Sequence, residues 1–228
     1  MISYRDGATV LHGVLFEPPG ARASAGVLLV HGGAGLDEHA CEQAERVAAL
    51  GYVVLACDMF GEGVRGDRAR TMATISALVD DPDRLCARAG AGLDVLAAHP
   101  RVDGRAAAVG YCFGGTTVLE LARAGAAVAG VASIHGGLRR RRPGPITPIA
   151  ARVLACNGGA DPHVPPADVA AFVDEMSTAG ADWQLAVYRG AAHGFTHRQP
   201  SATPGVAYDA DADARSATAL RSFLAELF

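Results

Sequence analysis

The chain predicts an α/β fold, a mostly parallel sheet with helices on both faces. Three observations carry that expectation. Short apolar runs alternate with longer helix-like runs through most of the 228 residues. Several of the short runs are apolar throughout, as strands buried on both faces of a parallel sheet are. No repeat, low-complexity tract or linker interrupts the alternation, so a single domain is expected over 1–228. A chain of this length can bury roughly 70% or more of its unfolded surface.

Strands are expected over Thr9–Phe16, Gly26–Val30, Tyr52–Ala56, Ala106–Val109, Val128–Ile134, Arg152–Ala155 and Gln184–Tyr188. The first of them, early in the chain and containing Gly13, suits an antiparallel edge. Helices are expected over Glu38–Leu50, Asp83–Ala98, Gly115–Arg123, Pro166–Ala179 and Asp211–Phe228. Two segments read as loops: glycine- and arginine-rich Phe60–Arg70, and Gly136–Pro148, which contains Arg139-Arg140-Arg141-Arg142. The four-arginine run reads as a solvated loop rather than an anion site.

Composition excludes several function classes. The formal charge is −4, against the strongly basic balance of a nucleic-acid binder. Half the residues are apolar, yet no run approaches the ~18 needed to span a membrane. The opening Met1-Ile2-Ser3-Tyr4-Arg5-Asp6 has no basic-then-apolar leader pattern, so a cytoplasmic protein is expected. All 20 basic residues are arginine, which removes lysine as a base or Schiff-base former. The five cysteines form no CxxC pair, so neither a metal site nor a dithiol motif is expected. Cys57 and Cys156 fall in apolar runs and read as core; Cys41 and Cys86 fall in helix-like segments and read as packing.

Chemistry concentrates at Gly110-Tyr111-Cys112-Phe113-Gly114-Gly115. An apolar run precedes it and a helix-like run follows. Strand, sharp turn of small residues, then helix is the setting of a nucleophile elbow. The elbow residue here is a cysteine, and a free thiol is only a few per cent ionised at neutral pH. It needs a base, and the base needs an orienting acid. Asp161 follows the strand Arg152–Ala155 through a glycine turn, at the carboxyl end of the sheet where ligands bind. His193 follows Gln184–Tyr188 through a small-residue turn, Gly190-Ala191-Ala192. Cysteine, aspartate and histidine thus occur in the chain order of the hydrolase triad.

Acyl chemistry also needs donors for an oxyanion, each worth ~3 kcal/mol of barrier. One is expected at the Phe113 amide, where the following helix dipole also favours thiolate. The other is expected at the Gly33 amide, in the glycine-rich turn His31-Gly32-Gly33-Ala34-Gly35. Phosphate binding by that turn is disfavoured, because it lacks both GxGxxG spacing and a P-loop lysine. Of the remaining histidines, His163 lies beside Asp161 but beyond Pro162, and His197 reads as a polar loop residue near the site.

These residues resemble the dienelactone hydrolase family over nearly the whole chain. The resemblance is carried by the Gly110–Gly115 elbow, the Asp161 turn, Ala192-His193-Gly194-Phe195, and Leu50–Ala56 with Asp58. It implies an α/β-hydrolase fold, no cofactor and a triad of Cys112 as nucleophile, His193 as base and Asp161 as its orienter. It implies hydrolysis of a small-molecule ester or lactone. A monomer or small homo-oligomer is expected, and charge and hydropathy give no nucleic-acid or membrane partner. The sequence departs from the founding enzymes at two places. Gly32 stands where they carry a glutamate that helps switch on the thiol. His197, with Arg198 next to it, stands where they carry an arginine for the substrate carboxylate. Arg198 and His197 are therefore the substrate-binding candidates. A non-hydrolytic ligand binder or thiol redox sensor, and acyl transfer to an acceptor other than water, are the competing expectations.

Overall fold

The computed structural model describes residues 1–20 and 22–228. A hairpin opens the chain, β1 (Ile2–Asp6) and β2 (Thr9–Phe16), with Asp6 opposite Thr9 and Gly7 at φ +56° in the turn between them. β3 (Ser24–Val30) then leads to α1 (Glu38–Ala48). The Asp37 side chain caps that helix by accepting the Ala40 N–H at 2.9 Å, a contact worth ~1 kcal/mol. β4 (Val53–Cys57) is followed by two helices, α2 (Arg68–Val79) and α3 (Pro82–Ala97), capped by Asp67 and Asp81. β5 (Val102–Tyr111), α4 (Phe113–Arg123), β6 (Gly130–Ile134) and β7 (Arg152–Gly158) follow. The chain closes with α5 (Pro166–Thr178), β8 (Trp183–Tyr188) and α6 (Ala210–Leu227).

The strands form one sheet in the order β1-β2-β4-β3-β5-β6-β7-β8. From β4 to β8 every pairing is parallel, and β2 runs antiparallel to both β1 and β4. Period-2 alternation sorts the apolar side chains into two cores. Leu28, Val30, Leu55, Ala108, Val131 and Val153 face α3, α4 and α5. Val27, Leu29, Val54, Val109, Ile134 and Leu154 face α1 and α6. α4 is buried along its whole length, so every one of its side chains must fit the interior.

The predicted elements are present with shifted ends, and three expectations need correction. Thr9–Phe16 is antiparallel, but the edge strand is β1, which covers it. β1 leaves no mark in the sequence because Ile2-Ser3-Tyr4-Arg5-Asp6 buries only Tyr4 and so shows no apolar run. α2 is unmarked for the same reason: of its residues only Leu78 is buried, so it has no apolar stripe. The loop expected to end at Arg70 therefore stops where α2 begins at Arg68.

Buried charge fixes the loop after β6. Arg123 lies between Glu120 and Glu175, at 2.9 Å and 2.6 Å, and donates to the Leu138 carbonyl at 2.9 Å. Glu120, fully buried, also accepts the Arg141 backbone N–H at 2.9 Å. Removing one member would strand a buried charge, at about 3–5 kcal/mol. Among the described residues no helix is long and apolar enough to cross a membrane.

Candidate active site

Strand order reverses between β3 and β5, and ligands of open α/β sheets bind at the carboxyl ends flanking such a switch point. The His31–Gly35 turn leaves β3 there, and Cys112 leaves β5. Cys112 has φ +54° and ψ −114°, strained for a non-glycine residue. Only small neighbours permit so tight a turn. A Cβ on Gly110 would stand 2.0 Å from the Gly114 carbonyl oxygen, and one on Gly114 would stand 2.1 Å from the Val30 carbonyl oxygen. The glycines at the elbow are there because backbone passes against backbone.

Two further turns bring up the partners. Asp161 follows β7, and His193 follows β8. The turns are stitched together: Gly159 N–H donates to the Tyr188 carbonyl at 2.7 Å, and Ala160 N–H to the Ala191 carbonyl at 2.9 Å. His193 is held from its other side by its N–H to the Gly205 carbonyl, 3.0 Å. The result is a line of three side chains. Cys112 Sγ lies 3.1 Å from His193 Nε2, and His193 Nδ1 lies 2.8 Å from Asp161 Oδ2. The other carboxylate oxygen, Oδ1, accepts the His163 backbone N–H at 2.8 Å. Asp161 is buried, which strengthens its hold on the ring.

Electrostatics favour a thiolate–imidazolium pair. Burial raises the Cys112 thiol, but the His193 hydrogen bond and charge and the backbone N–H groups of Gly33 and Phe113 outweigh it, leaving the thiol below its ordinary range. Burial lowers His193, but Asp161 and then Cys112 more than offset it, and His193 is pushed up to about 10. The two amides expected at an oxyanion site are thus the two that face the sulfur.

Cys112 sits between two hollows. The larger, about 570 Å³, has a wall made by Gln199–Ser201, Thr203 and Val206. The smaller, about 410 Å³, is lined by Phe113, Ile75, Asp80, Arg141 and His163. Gly33, Met72 and His193 border both. α2 forms the roof, with Ile75 over Gly33.

The substrate-binding candidates separate. His197 lines the larger hollow, and its Nε2 lies 4.0 Å from where a Gly32 Cβ would stand. That same Cβ would be 3.4 Å from the Cys112 Cβ, so any side chain at position 32 would touch Cys112. Arg198 lines neither hollow; it is exposed, 3.9 Å from Asp213, and borders a separate depression with Asp37, Glu38 and Glu42. The sequence order placed it next to His197, but a loop turns successive side chains to different sides. Two arginines do reach Cys112's surroundings: Arg68 lines the larger hollow and Arg141 the smaller. The neighbours of Arg141 in the four-arginine run are paired, Arg139 with Asp168, Arg140 with Glu175 and Arg142 with Asp83. Two further histidines also belong here. His163 packs edge-on against His193, ring centres 4.8 Å apart, and His135 does so at 5.5 Å. The run His135-Gly136-Gly137 directly after β6 is the trace of it that the sequence carries.

Comparison with known proteins agrees with this architecture. The family model for the dienelactone hydrolase family matches residues 11–228. A crystal structure of a dienelactone hydrolase-like promiscuous phosphotriesterase from metagenomic libraries is 40% identical. It superposes with a TM-score of 0.95, covering 100% of this chain and 97% of that one. An uncharacterized protein of Caenorhabditis elegans is 35% identical over 159 residues, 65% of this chain and 98% of its own. A Methylorubrum extorquens protein with the provisional name carboxymethylenebutenolidase is 29% identical over 187 residues, 74% of this chain and 62% of its own.

Proposed function

The chain belongs to the dienelactone hydrolase family, and from that premise we propose that it hydrolyses small carboxylic esters or lactones through a Cys112 acyl-enzyme. The observation that carries the reading is the line from Cys112 Sγ through His193 to Asp161, at 3.1 and 2.8 Å, set beside the Gly33 and Phe113 amides.

The Cys112 thiolate attacks the carbonyl carbon, and the carbonyl electron pair moves onto oxygen. The Gly33 and Phe113 N–H groups hold that oxyanion, each worth ~3 kcal/mol to the barrier. Collapse expels the alkoxide or enolate, which takes the proton from His193 Nε2 and leaves a Cys112 thioester. Water then loses a proton to His193 Nε2 and attacks the thioester carbonyl. The second collapse expels the thiolate and frees the acid. Asp161 keeps the His193 Nδ1–H directed at itself, so Nε2 always faces the chemistry. Thiolate is a far better leaving group than an amine anion, so esters, thioesters and lactones suit the site better than amides.

The residue suited to a carboxylate on the substrate is Arg141, in the same hollow as the Phe113 amide. Purified protein is expected to turn over a 4-nitrophenyl ester and to lose that turnover on Cys112→Ala. Unchanged turnover in Cys112→Ala would remove the nucleophile assignment. Reversible oxidation of Cys112 in a protein inactive on every ester would instead favour the redox-sensing reading.

A second reading rests on the 40% identical phosphotriesterase. A neutral phosphotriester offers the same thiolate an electrophilic phosphorus and the same amides a phosphoryl oxygen. Turnover of a 4-nitrophenyl phosphotriester that disappears in Cys112→Ala is the expected sign of it.

A further inference from the structure

Two non-glycine residues among those described have a left-handed φ: Cys112 at +54° and His135 at +43°. They are bonded to each other. The Cys112 backbone N–H donates to His135 Nδ1 at 3.1 Å, sharing its proton with the Ile134 carbonyl at 3.0 Å. Strained backbone persists only where surrounding contacts over-determine it, at about 1–3 kcal/mol per residue. Each of these two residues is a constraint on the other.

His135 is completely buried, and what it touches assigns its protons. Nδ1 accepts from Cys112, so the proton sits on Nε2, which donates to Thr196 Oγ1 at 2.9 Å. The Thr196 hydroxyl donates onward to His39 Nε2, 2.9 Å. His39 Nε2 also accepts from Gln43 Nε2 at 3.4 Å, and Gln43 Oε1 accepts the Tyr111 hydroxyl at 3.1 Å. The path that leaves the backbone of Cys112 therefore returns at the side chain of Tyr111, its chain neighbour. It crosses the loop after β6, the loop carrying His193, and helix α1. Beyond the shared Cys112 N–H, every donor along it has one acceptor.

We infer that His135 is a positioning residue for the nucleophile, the link through which Thr196, His39 and Gln43 hold the Cys112 elbow against the His193 loop. Thr196 lies three residues beyond His193, so the same contact spaces sulfur and imidazole. The role requires a neutral His135, because an imidazolium has no lone pair to take the Cys112 N–H. Burial first, then repulsion led by the His193 cation, hold His135 well below its ordinary range. The inference rests on the proposed nucleophile for its turnover arm only; the thiol's own reactivity reads it separately.

The test is site-resolved alkylation of Cys112 by iodoacetamide against pH, followed by mass spectrometry, with 4-nitrophenyl ester kinetics alongside. His135→Ala is expected to slow alkylation at neutral pH about tenfold or more and to move its half-titration up. It should lower kcat by roughly 10- to 100-fold with KM little changed, the scale of misplacing a reacting group by about 1 Å. His135→Asn should restore most of both. Its Oδ1 can take the place of Nδ1, and asparagine tolerates a left-handed φ. Thr196→Val should move both readouts in the alanine direction by less. Where His135→Ala does not fold, the Asn and Val variants carry the comparison. A wild-type alkylation profile in folded His135→Ala would overturn the inference, as would His135→Asn no better than alanine, or Thr196→Val without effect. Loss of ester turnover in every protein, wild type included, with the alkylation shifts intact would fault the hydrolase reading and keep this one.

Discussion

Asp161→Asn isolates the contact that makes His193 a cation. The asparagine is nearly the same shape, so the turns after β7 and β8 remain stitched by backbone hydrogen bonds. The charge is lost, and with it the 2.8 Å partner of His193 Nδ1. Asparagine can also present its NH₂ to Nδ1, which drives the ring proton to Nε2, where it faces the sulfur. Breaking a buried charge pair costs about 3–5 kcal/mol. Carried onto the transition state at ~1.36 kcal/mol per decade, that is a loss of roughly 10²–10⁴ in kcat. The pH dependence follows by sign. The wild-type thiolate forms as pH rises through a depressed thiol pKa, and His193 keeps its proton up to about 10. Ester hydrolysis and Cys112 alkylation therefore hold up well below the ordinary thiol range and fall as pH drops through the depressed value. In Asp161→Asn the His193 pKa falls, the imidazolium is lost first, and the alkylation half-titration moves up toward the ordinary range. Stopped-flow ester kinetics and alkylation rates across pH measure both. A kcat within threefold of wild type, or an alkylation profile that does not move, would refute the assignment of Asp161 as orienter.

Two other perturbations test the frame and the hollow. Gly114→Ala places a Cβ 2.1 Å from the Val30 carbonyl oxygen and 2.6 Å from its carbon, both backbone atoms that cannot turn aside. Urea unfolding should show destabilisation at or above the upper end of the ~1–3 kcal/mol overpacking range, with loss of ester turnover in whatever remains folded. Arg141→Gln should lower kcat/KM for a 4-nitrophenyl ester carrying a distal carboxylate while leaving its neutral counterpart unchanged. Arg141 is exposed and Asp80 borders the same hollow, so the expected ratio is about threefold to tenfold, from an exposed pair's ~1 kcal/mol.

What could be read from the sequence divides along a physical line. The central strands β3 to β7 carry their burial in their own composition, because both faces meet helices. The elbow could be read for a related reason: glycines at 110, 114 and 115 are demanded by local backbone crowding, and local demands leave local marks. β1 and α2 could not be read, since each buries a single side chain and owes its place to what lies beneath it. Arg198 shows the limit from the other side. Adjacency in sequence to His197 carries no information about which way a loop side chain turns. The role of His135 rests on bonds to residues 23 and 61 positions away, Cys112 and Thr196, and no window of sequence contains them.

The site holds five histidines within ring contact of one another, and the question for acyl chemistry is which of them bears the charge. Burial works against an imidazolium at His39, His135, His193 and His197 alike. Only His193 has a carboxylate in hydrogen-bond contact, and only His193 is raised. His39 is lowered to about 3 by burial and by neighbouring His197 and Arg46, and a charged His193 further disfavours charge on His135 and His197. That carboxylate places the cation 3.1 Å from the sulfur, while burial and the resulting repulsion keep His135 neutral, free to accept the Cys112 N–H. A thiolate needs a cation at one place, whereas the elbow needs a neutral acceptor a few ångströms behind it. Asp161 supplies the first by direct contact; burial, reinforced by repulsion from the His193 cation, preserves the second.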